Sequence, residues 1–373
     1  MDYDCLIITP FFRPNVGGVE THLDDLVTEL DKKNYKTKLL TLMPVTTKNT
    51  NCDKNEVIGS VDIVRFNWKS SYIYHWSENF PIINMLYIFP YFFFKCLFYI
   101  LKNKISAKNV HCQGINAGLI GLILNLKIKS NILISTHALY NTDNKFFFKK
   151  FLKFFFPKFD CILCVSNASK QQILEINPNI KNKVFVYVYW VNTNLFRDLN
   201  LIQENKITFT FIGRLIEKKG VRLLVNAAVK FPNINFKIAG SGPEENYILE
   251  HTKKFSNLIY LGNLPNKNLT KAYCESNFIC LPSLYPEGLA RVMLESLACG
   301  TPLIATKLGS IVEALDDSVA IFTDPNEDSF FNKISKCSLI SIDDYKQMRL
   351  NCRQKALDKF SEKNFDIIAN HYL

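Results

Sequence analysis

The chain predicts an α/β fold of two Rossmann-like domains facing each other across a cleft. Short apolar or β-branched runs alternate with helical patterns, which implies βαβ units and parallel sheets. The alternation restarts after a polar, aperiodic stretch at residues 198–206. Each half also carries glycine-bearing loops directly after strands, the places where an open α/β sheet binds ligands. At 373 residues, 48% hydrophobic and 21% charged, the chain is globular and long enough for two cores.

In the first half, strand Cys5–Thr9 leads through Gly17-Gly18 into a helix with Val19, Leu23, Leu26, Val27 and Leu30 on one face. Further strands are expected at Thr37–Leu42, Val61–Phe66, Asn109–Cys112, Asn131–Thr136, Cys161–Val165 and Lys183–Val188. The second half begins with strand Thr208–Ile212, the Gly213-Arg214 loop and a helix over Val221–Lys230. Strand Asn235–Ala239, the turn Gly240-Ser241-Gly242-Pro243 and strand Leu258–Leu261 follow. A helix around Asn268–Ser276 and strands Phe278–Leu281 and Pro302–Ala305 complete it. The expected domains are 1–197 and 206–355, with a C-terminal helix near 356–373 as a candidate to pack back on the first.

The 11 cysteines show no paired Cys-x-x-Cys framework, which fits a reducing compartment and argues against zinc. No leader is expected, because an acidic start runs straight into a strand. Net charge is +11. Residues 1–200 hold 24 Lys and Arg against 15 Asp and Glu; residues 102–158 alone hold ten lysines and one acid, Asp143. Such a region seeks phosphate. Residues 80–101 are long enough to span a bilayer, but Pro81, Pro90 and Lys95 interrupt them and a span there would break the strand–helix alternation, so no transmembrane span is expected. Residues 145–158 place Lys145, Lys149, Lys150 and Lys153 on one helical arc opposite a phenylalanine-rich arc. Two readings stand: a face laid on an anionic membrane, or a Phe face buried in the domain. Phe-rich interleaving suits lipid better than nucleic acid, and no nucleic-acid partner is expected.

The segment 282–306 carries Glu287 and Glu295. A strand running into a turn and a helix would set one carboxylate at the helix mouth and the other about two turns in, on roughly the same face. The helix N-terminus offers amides to an anion. Two such carboxylates could grip the hydroxyls of a sugar and a ribose while the amides hold phosphate. Arg214 and Lys219, in Gly213-Arg214-Leu215-Ile216-Glu217-Lys218-Lys219-Gly220, can both reach one diphosphate.

In order, the motifs are Pro14-x-x-Gly17-Gly18-Val19-Glu20 with Pro10 ahead of it, Gly213-Arg214-Leu215 with Lys219-Gly220, Gly240-x-Gly242-Pro243 and Gly262. Pro282-Ser283, Glu287-x7-Glu295, Ala298-Cys299-Gly300-Thr301-Pro302 and Gly309-Ser310-Ile311-Val312-Glu313 follow. Together they resemble the retaining GT-B glycosyltransferases of the "glycosyl transferases group 1" family over about residues 5–315. The resemblance implies a GT-B fold with an N-terminal acceptor domain and a C-terminal nucleotide-sugar donor domain. It implies that Arg214 and Lys219 neutralise the leaving diphosphate and that Glu295 holds the donor ribose. Glu287, with the amides of Gly288, Leu289 and Ala290, holds the transferred sugar. Gly213 shares the donor loop, Gly17 and Gly18 lie against the donor phosphates, and His137 faces the sugar. His111 is a weaker histidine candidate.

The family reading implies front-face transfer with retention, no metal and no cofactor beyond a nucleotide-diphosphate sugar as co-substrate. The sequence has no Asp-x-Asp at a strand end. The acceptor is expected to be lipid-linked or a saccharide, and the enzyme cytoplasmic and peripheral on the cytoplasmic face of a membrane. Gly-Gly-Val-Glu-Thr-His at 17–22 also resembles the branch that adds N-acetylglucosamine to phosphatidylinositol. Gly288-Leu289-Ala290, where the family commonly has Gly-Phe-Gly, Tyr189-Trp190-Val191-Asn192 and Gly309-Ser310 depart from the pattern and leave the donor sugar open. The alternatives are a sugar-nucleotide epimerase or phosphorylase on the same fold, or a non-catalytic sugar-binding relic.

Overall fold

The computed structural model describes residues 2–15, 17–44, 52–68, 81–137, 140, 146–201 and 206–373; at 81, 82, 84, 85, 266 and 267 it describes backbone only. The chain forms two compact units, Met1–Val188 with Lys363–Leu373, and Tyr189–Glu362.

The first unit is built on eight strands: β1 (Asp2–Ile8), β2 (Thr37–Leu42), β3 (Asn55–Ile58), β4 (Val61–Phe66), β5 (Ser106–Gln113), β6 (Asn131–Thr136), β7 (Cys161–Cys164) and β8 (Val184–Val186). Their order is β3-β4-β2-β1-β5-β6-β7-β8. All neighbours are parallel except β3, which runs antiparallel to β4. Strand β2 is buried along its whole length, as a parallel strand covered on both faces must be, and reads as Leu and Thr but for Lys38, which lies 3.6 Å from Asp62. The helices are α1 (Gly18–Lys32), α2 (Pro81–Asn103), α3 (Gly114–Ile128), α4 (Phe146–Phe155) and α5 (Asn167–Ile176). Leu23, Leu26, Val27 and Leu30 of α1 are buried, as their spacing requires. Helix α2 buries Ile88, Phe92, Cys96 and Ile100, four residues apart, against Leu6, Ile8, Val110 and Ile134 of the sheet. Among the described residues no helix is long and apolar enough to cross a membrane.

The C-terminal tail completes this unit. The chain returns to it at Lys363 and forms a short helix, Phe365–Ala369. Asn109 Nδ2 donates to the Leu373 carbonyl at 3.2 Å and its Oδ1 accepts from the Leu373 amide at 2.9 Å. Asn131 Nδ2 donates to the His371 carbonyl at 2.8 Å. His111 lies 2.8 Å from both the Tyr372 hydroxyl and Ser135 Oγ.

The second unit carries β9 (Thr208–Ile212), β10 (Asn235–Ala239), β11 (Leu258–Gly262), β12 (Phe278–Leu281), β13 (Leu303–Thr306) and β14 (Ala320–Thr323), in the order β11-β10-β9-β12-β13-β14. Every pairing is parallel. Its helices are α6 (Val221–Lys230), α7 (Glu245–Thr252), α8 (Asn266–Cys274), α9 (Arg291–Ala298), α10 (Ile311–Ala314), α11 (Glu327–Cys337) and α12 (Ile342–Lys359). Phe209 stacks between Phe236 at 5.8 Å and Phe278 at 5.5 Å in the core. The order reverses between β9 and β12, and in the first unit between β1 and β5. Loops leave in opposite directions there, and a crevice opens at the carboxyl ends of the strands.

The unit boundaries differ from 1–197 and 206–355. Residues 189–197 and 356–362 belong to the second unit. Trp190 and Val191 are buried there: the Trp190 carbonyl accepts from Arg291 at 2.7 Å and the Val191 amide donates to Phe360 at 2.9 Å. Residues 356–373 hold the end of α12, in the second unit, and the separate short helix Phe365–Ala369, in the first.

Burial lowers His111 to about 3 from its ordinary 6.5, with nearby His137 as a smaller cause. The unfolded chain therefore takes up a proton near 6.5 that the folded chain refuses until far lower pH. The stability contribution is complete above 6.5 and is lost as pH falls towards the folded value. The thermal midpoint should fall between about pH 6.5 and 4.5, and His111→Gln should flatten that slope. Equal slopes in both proteins would contradict the assignment.

Candidate functional site

Four loops at the carboxyl edge of the second sheet are laced together. The loop after β9 pairs with the turn after β10: Gly213 N donates to Ala239 at 3.0 Å and Leu215 N to Ser241 at 2.9 Å. It also pairs with the loop after β12, where Leu284 N donates to Lys218 at 2.8 Å. Gly220 sits at φ +70 at this seam, and a Cβ there would lie 1.9 Å from the Pro282 carbonyl oxygen. Only glycine allows both the left-handed turn and the approach. The loop after β13 closes the set, as Ser310 N donates to the Glu287 carbonyl at 2.9 Å. Gly309, at φ +59, would place a Cβ 2.2 Å from that carbonyl oxygen.

This lacing sets Lys219 beside Glu287. The Lys219 ammonium donates to Glu287 Oε2, and Ser283 Oγ donates to Oε1. Glu287 is 5% exposed, so its charge needs these partners. The Lys219 ammonium also lies 5.8 Å from the centre of the Tyr285 ring. Just beyond Glu287, the amides of Gly288, Leu289 and Ala290 meet no acceptor among the described residues. They lead into the N-terminus of α9, whose cap residue is Ala290. A carboxylate, a lysine and a run of open amides can together hold a hydroxylated, anionic ligand. Arg214 is exposed in the same loop as Lys219, one residue after Gly213.

Glu295 is held differently. It is buried in α9, accepts from the Tyr273 hydroxyl at 2.7 Å and lies 3.5 Å from Arg291 Nε. Burial, and then this carboxylate, raise the Tyr273 phenol well above its usual value, so it stays a donor. Glu287 and Glu295 do not share a helical face. Helix α9 starts at Arg291, and Glu287 lies four residues earlier in the loop. Pro286 and Gly288 flank it and keep the chain out of the helix there.

In the first unit, Gly17 and Gly18 open α1, with the Gly17 carbonyl accepting from the Thr21 hydroxyl at 2.9 Å. His137 follows β6, half-buried, and its Nε2 donates to Gln113 Oε1 at 2.8 Å. Burial holds this imidazole down at about 4, so it is neutral near pH 7. His22 of α1 lies 6.1 Å from the His137 ring and 5.4 Å from that of Tyr187. Gln113, His22 and Tyr187 were missed by sequence reasoning. His22 was visible in Gly-Gly-Val-Glu-Thr-His, and Gln113 as a polar end to an apolar strand. His111 is structural: it anchors Tyr372 of the tail.

The helix at 146–155 partitions its phenylalanines. Phe148, Phe151, Leu152 and Phe155 face the core, while Phe146, Phe147 and Phe154 are exposed beside Lys149, Lys150 and Lys153. Only one i, i+3, i+4, i+7 stripe of a helix can face a sheet, so the surplus rings stay outside. The phenylalanine-rich arc opposite the lysines is thus split, its 148, 151, 152 and 155 side packed on the core and its 147 and 154 edge exposed. Lys145 lies outside the described residues.

Residues 192–357 match the family model "Glycosyl transferases group 1", and residues 16–191 match "Glycosyltransferase Family 4". A subunit of the phosphatidylinositol N-acetylglucosaminyltransferase of Arabidopsis thaliana is 24% identical, across 89% of this chain and 73% of its own. Sucrose-phosphate synthase from Thermosynechococcus elongatus superposes with a TM-score of 0.78 at 17% identity, covering 98% of this chain and 97% of its own. HepE of Anabaena, solved with UDP, gives 0.72 at 15% identity, covering 98% of each chain. The two sheets, parallel but for the edge strand β3, have the GT-B architecture. The chain belongs to the glycosyl transferases group 1 family.

Proposed function

We propose that the protein is a retaining, metal-independent hexosyltransferase that moves a sugar from a nucleotide-diphosphate sugar to a lipid-linked acceptor at a membrane surface. The observation that carries this reading is the Lys219–Glu287 pair beside three open amides at the order reversal of the second sheet. A diphosphate would draw Lys219, with Arg214 as the second cation, and leave the Glu287 carboxylate to accept hydrogen bonds from sugar hydroxyls. Gly213, Gly288, Leu289 and Ala290 would supply backbone contacts, and Glu295, steadied by Tyr273, the ribose contact. Gly17, Gly18 and His137 keep the roles that the resemblance implies, with His137 acting as a neutral hydrogen-bonding group. No cofactor beyond the nucleotide sugar is needed.

In the step itself, the anomeric carbon–oxygen bond to the diphosphate breaks with oxocarbenium character and negative charge grows on the leaving phosphate. Two preorganised cations stabilise that charge. The acceptor oxygen attacks from the same face, and its proton passes to the departing phosphate oxygen. The acceptor assignment is supported by the name of the Arabidopsis relative, a transferase acting on phosphatidylinositol, and by the lysine-rich first unit. The enzyme would then sit peripherally on the cytoplasmic face of a membrane.

Replacing Lys219 or Arg214 by Ala should lower transfer by about 10²-fold or more, read as kcat with the donor that the wild type uses fastest. Near-normal turnover in both variants would remove the phosphate assignment. The product should keep the anomeric configuration of the donor, by NMR, and the reaction should survive EDTA. An inverted product, or activity restored only by a divalent ion, would contradict the reading.

A further inference from the structure

We propose that the outward face of α2, α3 and α4 is a lipid-docking surface that seats the first unit on an anionic bilayer. The inference rests on the membrane-acceptor reading and assigns it a surface. Helix α2 is apolar on both sides. Its inner stripe, at 88, 92, 96 and 100, fills the core. Its outer stripe keeps the same four-residue step through Leu86, Pro90, Phe94 and Phe98, all exposed, with Phe98 at 65%. A helix that only covers a sheet would carry polar residues there.

The neighbouring helices extend this face. The connections β4 to β5, β5 to β6 and β6 to β7 all step the same way across the sheet. Right-handed crossovers therefore put α2, α3 and α4 on one side. Helix α4 packs directly on α3, since a Cβ at Gly118 would lie 2.7 Å from the Phe155 ring. Helix α3 exposes Ile123 and Leu126, the latter at 81%. Helix α4 exposes Phe146, Phe147 and Phe154, with Phe147 at 85%. The start of α4 lies at the carboxyl edge of the sheet, the edge that carries His137.

Charge names the occupant. Lys127, Lys149, Lys150 and Lys153 are exposed among these rings, and none has an ion pair among the described residues. A second copy of the chain would bring lysines against lysines. Anionic headgroups complement the lysines, and the acyl boundary beneath them accepts the rings. No described helix can cross a bilayer, so the contact is an interfacial seat.

The test is co-sedimentation of the full chain with vesicles of phosphatidylcholine alone or mixed with phosphatidylinositol. Two double variants, Phe94→Ser/Phe98→Ser and Phe147→Ser/Phe154→Ser, are compared with wild type. Wild type should sediment with the anionic vesicles and weaken in high salt. Each double variant should lose about tenfold or more of that binding, with melting temperature and calorimetric UDP affinity unchanged. A wild type that stays in the supernatant, or variants that sediment equally well, would overturn the proposal. So would a concentration-dependent dimer abolished by the same substitutions, which would give this face to a second copy. UDP binding reports separately on the transferase reading: retained UDP affinity without vesicle binding removes only the docking surface.

Discussion

The candidate site depends on one constraint, the holding of a buried carboxylate at Glu287. A carboxylate so far from water is tolerated only if its oxygens are occupied, and stranding it would cost several kcal/mol. Lys219 satisfies one oxygen and Ser283 the other, while Ser310 ties the backbone carbonyl of the same residue. These partners come from the loops after β9, β12 and β13, adjacent strands around the order reversal. The glycines at 220 and 309 let the loops touch backbone to backbone. Lys219 therefore has two parts. It neutralises the carboxylate in the free protein, and it is a cation available to a phosphate. In the proposed reaction an anionic ligand would compete for it, so that arrival of a diphosphate would free the Glu287 carboxylate for a sugar.

The first unit follows the opposite electrostatic rule. Its histidines at 111 and 137 are kept neutral by burial, at about 3 and about 4. Near pH 7 they act through directed hydrogen bonds rather than charge. His111 spends its two nitrogens on Tyr372 and Ser135, which binds the C-terminal tail to the carboxyl half of β5. His137 spends Nε2 on Gln113, which fixes its tautomer and ring plane.

Strands 37–42, 61–66, 131–136, 208–212, 235–239 and 278–281 were legible to the residue because a covered parallel strand reads as a largely apolar or β-branched run, even where Lys38, Asp62, Arg65 or Lys237 interrupts it. Strand β3 was not: half-exposed at the sheet edge and carrying Asn55 and Glu56, it has no such run. The motifs assigned Lys219 to a diphosphate and Glu287 to a sugar, and no local pattern encoded the ion pair that the two form. Helical phase misplaced Glu287, since Pro286 and Gly288 delay the helix to Arg291. The wheel at 146–155 showed which residues share an arc but could not say how wide a stripe the sheet would cover. Gln113, His22 and Tyr187 meet from three distant segments, and no local pattern encodes that meeting.

The placing of Glu287 is tested most directly at Gly309, which brings no side chain of its own and lets the β13 loop lie against the Glu287 backbone. Gly309→Ala should drive its methyl into the Glu287 carbonyl and shift the carboxylate. Sugar transfer should fall by about 10²-fold, as a displacement near 1 Å at a reacting site does. The thermal midpoint should fall by a few degrees, because the left-handed φ and the backbone clash both cost stability, while the affinity for a nucleoside diphosphate should stay close to wild type. Transfer within about twofold of wild type in a folded Gly309→Ala protein would show that the position of Glu287 does not govern the reaction.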